Sequence, residues 1–343
     1  MKKILVSGYY GFDNFGDEAI LGVLLSKLKG ADVTVLSSDP EKTSKLYGVK
    51  SINSFDAKTV LEHLNEFDAL ISGGGSLIQN VTSIKSLIYY CGLISMMGAM
   101  NSPKNPKDVI IFAQGIGPIK GFWANLIAKN AFKKCTYISV RDENSQKLLK
   151  KYGVESNLVC DPIFDLPLPP RSRTRKIGIQ LRRFETLTDE LFDGIVKQVA
   201  FKFSDREIEL ISFQDSEDVG ISEVFLHKLK EKHPTINAKI VQGLNNQQII
   251  NRVGEYDYLI AMRFHACLLG LKYGIKTLAI SYDPKVENLA KDAKIPYFVM
   301  DSSKNDYKKA FEDLDKLTSF NLLNFANSKQ FDWSQTGIDF LLG

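Results

Sequence analysis

Four basic residues fall where a parallel sheet would present them. Arg141 closes the run "YISVR", Arg263 and His265 close "DYLIAMRFH", and Lys285 follows "AISYDP". Guanidinium groups grip carboxylates and phosphates through paired N–H···O bonds, a lysine supplies a point charge, and an imidazole moves protons near neutral pH. A single such residue reads as a solvated charge or an ion pair. Their recurrence at successive strand ends predicts one small pocket for a multiply charged anion. Arg263 and His265 also open the apolar stretch "HACLLGLKYG", so a helix N-terminus with free N–H groups would add to that site.

The first segment carries the opposite chemistry. In "GYYGFDNFGDEAIL" the glycines Gly8, Gly11 and Gly16 fit neither the G-x-G-x-x-G fingerprint nor a phosphate loop with its lysine. Asp17 and Glu18 stand in the first turn of the predicted helix, where they would repel a phosphate. Carboxylates and amides accept from hydroxyls and rings stack on sugar faces, so Tyr9, Tyr10, Asp13, Asn14 and Asp17 suit a neutral polyhydroxyl ligand. The plainer reading is that Asp17 caps the helix and the glycines only turn the chain; the residues alone leave both open. In "ISGGGSLIQN" the backbone N–H groups of Gly74, Gly75 and Ser76 would either hold an anion or permit a tight turn, and "AQGIGP" is a third turn of this kind.

Elements that position these residues alternate along the chain. Strand-like runs at 3–8, 32–36, 67–72, 108–113 and 136–140 alternate with helical segments, and continuous apolar runs such as "VIIFA" suit strands covered on both faces. A second set, "KIGIQL", "EIELISF", "AKIVQ", "DYLIAM", "KTLAIS" and "PYFVM", begins after the proline-rich stretch 161–174. The expectation is two Rossmann-like α/β domains with parallel sheets facing a cleft, the architecture called GT-B-like. Residues 1–165 would form the first domain, 175–325 the second, and 326–343 a segment packing across their junction.

Composition excludes several classes. With 343 residues and 44% hydrophobic content, the chain can bury two cores. A net charge of +4, from 44 basic and 40 acidic residues, carries no nucleic-acid signature. The apolar run before Gly8 is too short for a signal-peptide core, and Cys91, Cys135, Cys160 and Cys267 form no C-x-x-C pair, so a cytoplasmic protein is expected. No histidine or cysteine set has metal-ligand spacing, and no G-x-S-x-G elbow is present. Leu87–Met100, 14 residues long, is short for a membrane span. It reads as a core helix, with peripheral membrane contact as the alternative.

Seven segments, "GYYGFDNFGDEAIL", "SGGGSLIQN", "AQGIGPI", "ISVRDENS", "CDPIF", "MRFHACLLG" and "ISYDPKV", occur in the order found in the polysaccharide pyruvyl transferase family. The chain resembles its CsaB-type branch from residue 4 to about 300. The resemblance implies a GT-B-like fold and a transferase that needs no cofactor beyond its donor substrate, phosphoenolpyruvate. The acceptor it implies is N-acetylmannosamine in a lipid-linked precursor of a secondary cell-wall polymer of the kind that anchors S-layers, made at the inner face of the membrane. The product is a pyruvate ketal. Family donor residues match Arg141, Arg263, His265 and Lys285. Phe264 stands where leucine is commoner and Asp13 where glycine is frequent. With this implied chemistry, His265 is the expected general acid or phosphate ligand; Arg141, Arg263 and Lys285 hold the donor; Asp13 or Asp17 orients the acceptor; and Tyr9, Asn14, Phe264, Gly74, Gly75 and Ser76 line the substrates. A nucleotide-sugar glycosyltransferase and a non-catalytic polysaccharide-binding protein are the rival readings.

Overall fold

Both halves of the chain wind as β-strand, helix, β-strand, and the computed structural model shows why: nearly every interior strand is buried on both faces. It describes residues 1–81, 83–184, 189–300 and 305–342. Two units emerge, Met1–Leu166 together with the segment from Gln330 onward, and Pro167–Lys329. The stretch expected to pack across the junction is thus divided, 326–329 counting with the second unit and 330–342 with the first; Gly343 lies outside the described residues.

The first unit contains β1 (Lys3–Ser7), α1 (Phe15–Lys27), β2 (Asp32–Ser37), α2 (Pro40–Tyr47), β3 (Lys50–Asn53), α3 (Ala57–His63) and β4 (Ala69–Ser72). It continues through α4 (Ile84–Met100), β5 (Asp108–Gln114), α5 (Phe122–Phe132), β6 (Tyr137–Val140), α6 (Glu143–Lys151) and β7 (Asn157–Leu158). Its parallel sheet has the order β3-β2-β1-β4-β5-β6-β7. β3 and β7 were not legible as strands, because both are sheet edges with little buried apolar surface.

In the second unit come β8 (Lys176–Gln180), α7 (Asp189–Phe203), β9 (Glu207–Ile211), α8 (Asp215–Lys232), β10 (Ala238–Val241), α9 (Asn246–Val253) and β11 (Tyr256–Ala261). α10 (Phe264–Lys272), β12 (Lys276–Ser281), α11 (Pro284–Asp292), β13 (Tyr297–Val299), α12 (Tyr307–Lys316) and α13 (Ser319–Ser328) complete it. The sheet runs β10-β9-β8-β11-β12-β13, again all parallel. All six strands read from this half of the sequence are present.

α14 (Ile338–Leu342) belongs to the first unit. Ahead of it, Phe331 and Trp333 pack on Phe112 of β5 with ring centroids 5.8 and 5.6 Å away, and Trp333 Nε1 donates to Asp165 at 2.9 Å. α4 is a core helix on one face, burying Leu87, Tyr90, Cys91, Leu93, Ile94 and Met97. Among the described residues no helix is long and apolar enough to cross a membrane.

Candidate functional site

Strand order reverses direction between β1 and β4 in the first sheet and between β8 and β11 in the second. In such sheets the crevice beyond the carboxyl ends of the strands at this switch point receives ligands. The loops there are 8–14 and 73–81 in the first unit, and the segments following Gln180 and Ala261 in the second. The candidate residues from 9 to 17, Gly74 to Ser76, and Arg263 to His265 follow the switch-point strands; Lys285 follows the neighbouring β12, and Arg141 follows β6, two strands along from β4.

In the first unit Asn14 caps α1 by accepting from Gly16 N at 3.1 Å, so Asp17 is not the cap. Asp17 is buried in the first turn and lies against Gly75: a β-carbon on Gly75, whose φ is +95°, would fall 2.3 Å from Asp17 Oδ1. Only glycine fits there. Ser76 Oγ accepts from Arg141 Nη2 at 2.9 Å, and Arg141 Nη1 pairs with Asp161 at 2.6 Å, both side chains buried. Asp17, Gly75, Ser76, Arg141 and Asp161 thus form one connected group. The glycine run opens no helix, since α4 begins later, at Ile84 behind its Ser83 cap. Gly74 instead lets the chain pass Ile20 of α1. A register shift in β5 between Ile111 and Gln114, with Ala113 at φ +45°, brings Gln114 Nε2 onto Ser72 Oγ and Gly73 O at 2.7 and 2.6 Å.

Asp13 stands apart from that group. It is exposed, has φ +55° and pairs with Lys42 at 2.6 Å. Tyr9 stacks on Phe12 at 4.0 Å, so one face of its ring is already covered. Glu18, unremarked as a candidate, is buried; its carboxylate accepts from Tyr47 Oη and from Gly11 N, each at 2.7 Å. Burial pushes its pKa above the usual carboxylate range, and the Tyr47 and Gly11 bonds pull in the opposite direction. A raised folded-state pKa contributes stability that is complete at low pH and is lost as pH rises through it. Glu18→Gln should remove that loss. Its thermal midpoint relative to the parent is expected to improve as pH rises above the ordinary carboxylate range, and a difference that stays constant with pH would rule this out.

In the second unit Arg263 and His265 occupy the N-cap and second position of α10, which has no side-chain cap. Arg263 is locked in a buried network: Nε lies 3.0 Å from both Asp218 oxygens, Nη2 lies 2.6 Å from Asp218 Oδ1 and 3.1 Å from Gln214 Oε1, and its backbone N donates to Gln180 at 2.7 Å. Asp218 neutralises it, so its role is to fix the start of α10; Nη1 takes part in none of these bonds. His265 is half-buried with its ring edge-on to Phe264 at 5.3 Å. Lys285 sits on the neighbouring strand end, at the start of α11, its Nζ 3.7 Å from Asp283.

One further cation was missed, Arg182, just beyond β8. The register that pairs Ala261 with Gln180 continues to set Arg182 beside Arg263, and Arg182 N donates to Met262 Sδ at 3.3 Å. Its guanidinium reaches Tyr282 at the end of β12, 5.4 Å above the ring and 3.4 Å from Oη. Since β11 separates β8 from β12, that side chain must span the start of α10. No carboxylate among the described residues pairs with it, and its Nε is buried without a hydrogen-bond partner. The "LRR" at the end of a strand was the available signal. "KIGIQL" reads as a strand, and the two arginines that follow it were not weighed. Arg141 belongs to the first unit, and Arg263, His265 and Lys285 to the second.

The sequence model of the family described as polysaccharide pyruvyl transferase matches residues 14–284. No curated protein matches the chain in sequence. Solved structures share its fold. A UDP complex of MnaA from S. aureus has 12% identity and a TM-score of 0.67 over 100% of this chain and 97% of that one. HepE from Anabaena with UDP-glucose has 13% identity and a TM-score of 0.66, covering 100% and 99%. A glycosyltransferase from Rickettsia africae has 13% identity and a TM-score of 0.59, covering 99% and 97%.

Proposed function

The chain belongs to the polysaccharide pyruvyl transferase family, and from that premise we propose that it transfers the pyruvyl group of phosphoenolpyruvate to a sugar, forming a ketal and releasing phosphate. The acceptor in this reading is N-acetylmannosamine in a lipid-linked precursor of a secondary cell-wall polymer, met at the inner face of the membrane. The observation that supports it best is the cationic edge of the second unit, where Arg182, His265 and Lys285 stand at three successive strand ends around an uncapped helix N-terminus. A three-carbon acid carrying carboxylate and phosphate is matched by such a set.

The chemistry proceeds by protonation. A proton added to the methylene carbon of the enol turns it into a methyl group and leaves an oxocarbenium-like centre at the phosphorylated carbon. One sugar hydroxyl attacks that carbon and loses its proton. Cleavage of the C–O bond to phosphate regenerates the cationic centre, and a second hydroxyl of the same sugar closes the ketal. His265 is assigned the first proton transfer. Arg182 and Lys285 hold the donor anions and the departing phosphate. Arg263, already paired, is a positioning residue that holds α10 and offers Nη1. In the first unit the Asp17 carboxylate beside Gly75 accepts from the sugar hydroxyl, with Arg141 and Ser76 tying the strand ends behind it.

Incubation with phosphoenolpyruvate and lipid-linked sugars, read as inorganic phosphate and product mass, tests this reading. A ketal-sized adduct with stoichiometric phosphate is expected. Transfer from a nucleotide sugar, with no phosphate released from phosphoenolpyruvate, would sink it in favour of a glycosyltransferase. Within the reading, Arg182→Met should raise KM for phosphoenolpyruvate about ten- to a hundredfold, the loss of one charge-assisted contact of roughly 1.5–3 kcal/mol. Arg182→Lys should recover part of it, and an unchanged KM in both variants would remove Arg182 from the donor site.

A further inference from the structure

The first unit carries a surface that the transfer chemistry does not use. Asn80 Nδ2 donates to Lys120 O at 2.6 Å and Lys120 N donates to Asn80 Oδ1 at 2.8 Å, so the loops leading into α4 and α5 are stapled together. Beyond that staple the side chains turn outward. Phe122 is 75% exposed, Trp123 72%, Val81 57%, Ile88 51%, Ile84 46% and Leu126 38%. Ile84 with Ile88 and Phe122 with Leu126 are each four residues apart, hence on one face of their helices. Phe122 and Trp123 meet edge to face at 5.3 Å.

Charge around this apolar cluster is one-sided. Between Asp68 and Asp142 the chain has a single carboxylate, Asp108, against seven lysines, although it is nearly balanced as a whole. Lys85 and Lys120 are exposed at the cluster itself, and neither α4 nor α5 contains an acidic residue. Exposed aromatic and aliphatic side chains rimmed by lysine are the composition of a surface that enters the headgroup layer of a bilayer, and anionic lipids supply the charge the patch lacks. A second copy of the chain is a poorer occupant. A two-fold contact sets a patch against itself and would bring Lys85 and Lys120 together with no carboxylate between them.

We propose that the N-terminal ends of α4 and α5 form a docking surface for an anionic lipid bilayer. Both helices start on the strand edge that carries Asp17, Gly75 and Ser76, so docking here brings the first unit's ligand edge to the membrane plane. The inference goes beyond the transferase reading and does not depend on its donor chemistry.

The full chain is sedimented with vesicles of phosphatidylglycerol and phosphatidylcholine, and separately with phosphatidylcholine alone, without donor or acceptor. Binding to the anionic vesicles, weakened by salt, is expected. In a Trp333→Phe background, the emission of Trp123 should shift to the blue. Phe122→Ser combined with Trp123→Ser, and Lys85→Glu combined with Lys120→Glu, should each lower the bound fraction about tenfold or more at an unchanged thermal midpoint. No sedimentation with anionic vesicles at low salt, or equal binding by both double variants, overturns the proposal. So does a patch whose loss splits an oligomer and leaves vesicle binding intact. Because no substrate is present, failure here leaves the transferase reading standing, and failure of phosphate release leaves the docking surface standing.

Discussion

His265→Gln is expected to lower kcat for phosphate release from phosphoenolpyruvate by about 10²–10⁴-fold, the usual contribution of a positioned general acid, with the thermal midpoint close to that of the parent. Glutamine keeps a hydrogen-bonding group on the second position of α10 but cannot deliver a proton to carbon. The split between constants decides the role. If the imidazole only binds phosphate, KM rises and kcat holds; if it protonates the methylene, kcat falls and KM changes little. Deuterated water adds an independent readout, since each turnover of the parent places one solvent deuteron in the new methyl group. A variant that keeps kcat within a few-fold and incorporates deuterium at the parent rate would take His265 out of proton transfer.

That His265 could be picked out at all reflects what kind of information survives in a sequence. Runs such as "DYLIAM" and "KTLAIS" are apolar along their whole length because parallel strands are covered on both faces, so all six strands of the second sheet were legible. The end of each run marks the carboxyl edge, and the first polar residues past it are candidates for the site. Arg263, His265, Lys285 and Arg141 were found in this way. What a run cannot show is pairing across the sheet. Asp218 lies in the first turn of α8 and Asp161 at the end of a separate segment, 45 and 20 residues from their arginines, and only the fold brings the buried pairs together. Two arginines that looked like free cations are therefore neutralised, whereas Arg182, which was not weighed, pairs with no carboxylate among the described residues.

The acceptor side shows the same limit from the other direction. Glycine spacing in "SGGGS" correctly marked a close approach, but its object was hidden, since the group filling the space is Asp17 from a different loop. Glu18 went unweighed beside Asp17 because neighbours on a helix differ by about 100° in direction, and the sequence does not say which of the two turns toward Tyr47 and the turn at Gly11. Of the two carboxylates, the structure gives Glu18 to the loop and leaves Asp17 at the glycine edge.

Asp218→Ala is expected to destabilise the second unit by about 3–5 kcal/mol, the cost of leaving one buried charge without its partner. Removing the carboxylate strands the Arg263 guanidinium at 7% exposure and also takes the acceptor from the backbone N–H groups of Phe213 and Gln214, bonded to it at 2.9 and 3.1 Å. Urea unfolding should show a lower midpoint for this variant. Replacing both partners, Asp218→Leu with Arg263→Met, removes the stranded charge, and buried pairs exchanged for apolar residues are often neutral or better; part of the loss should return. The same double variant separates fold from function. If Arg263 acts only by holding α10 in place, regained stability brings back donor binding, whereas a guanidinium that also offers Nη1 to the donor leaves a stable protein with KM for phosphoenolpyruvate raised about tenfold or more. A single Asp218→Ala variant as stable as the parent would mean that water reaches this network, and that Arg263 is free to turn toward the ligand.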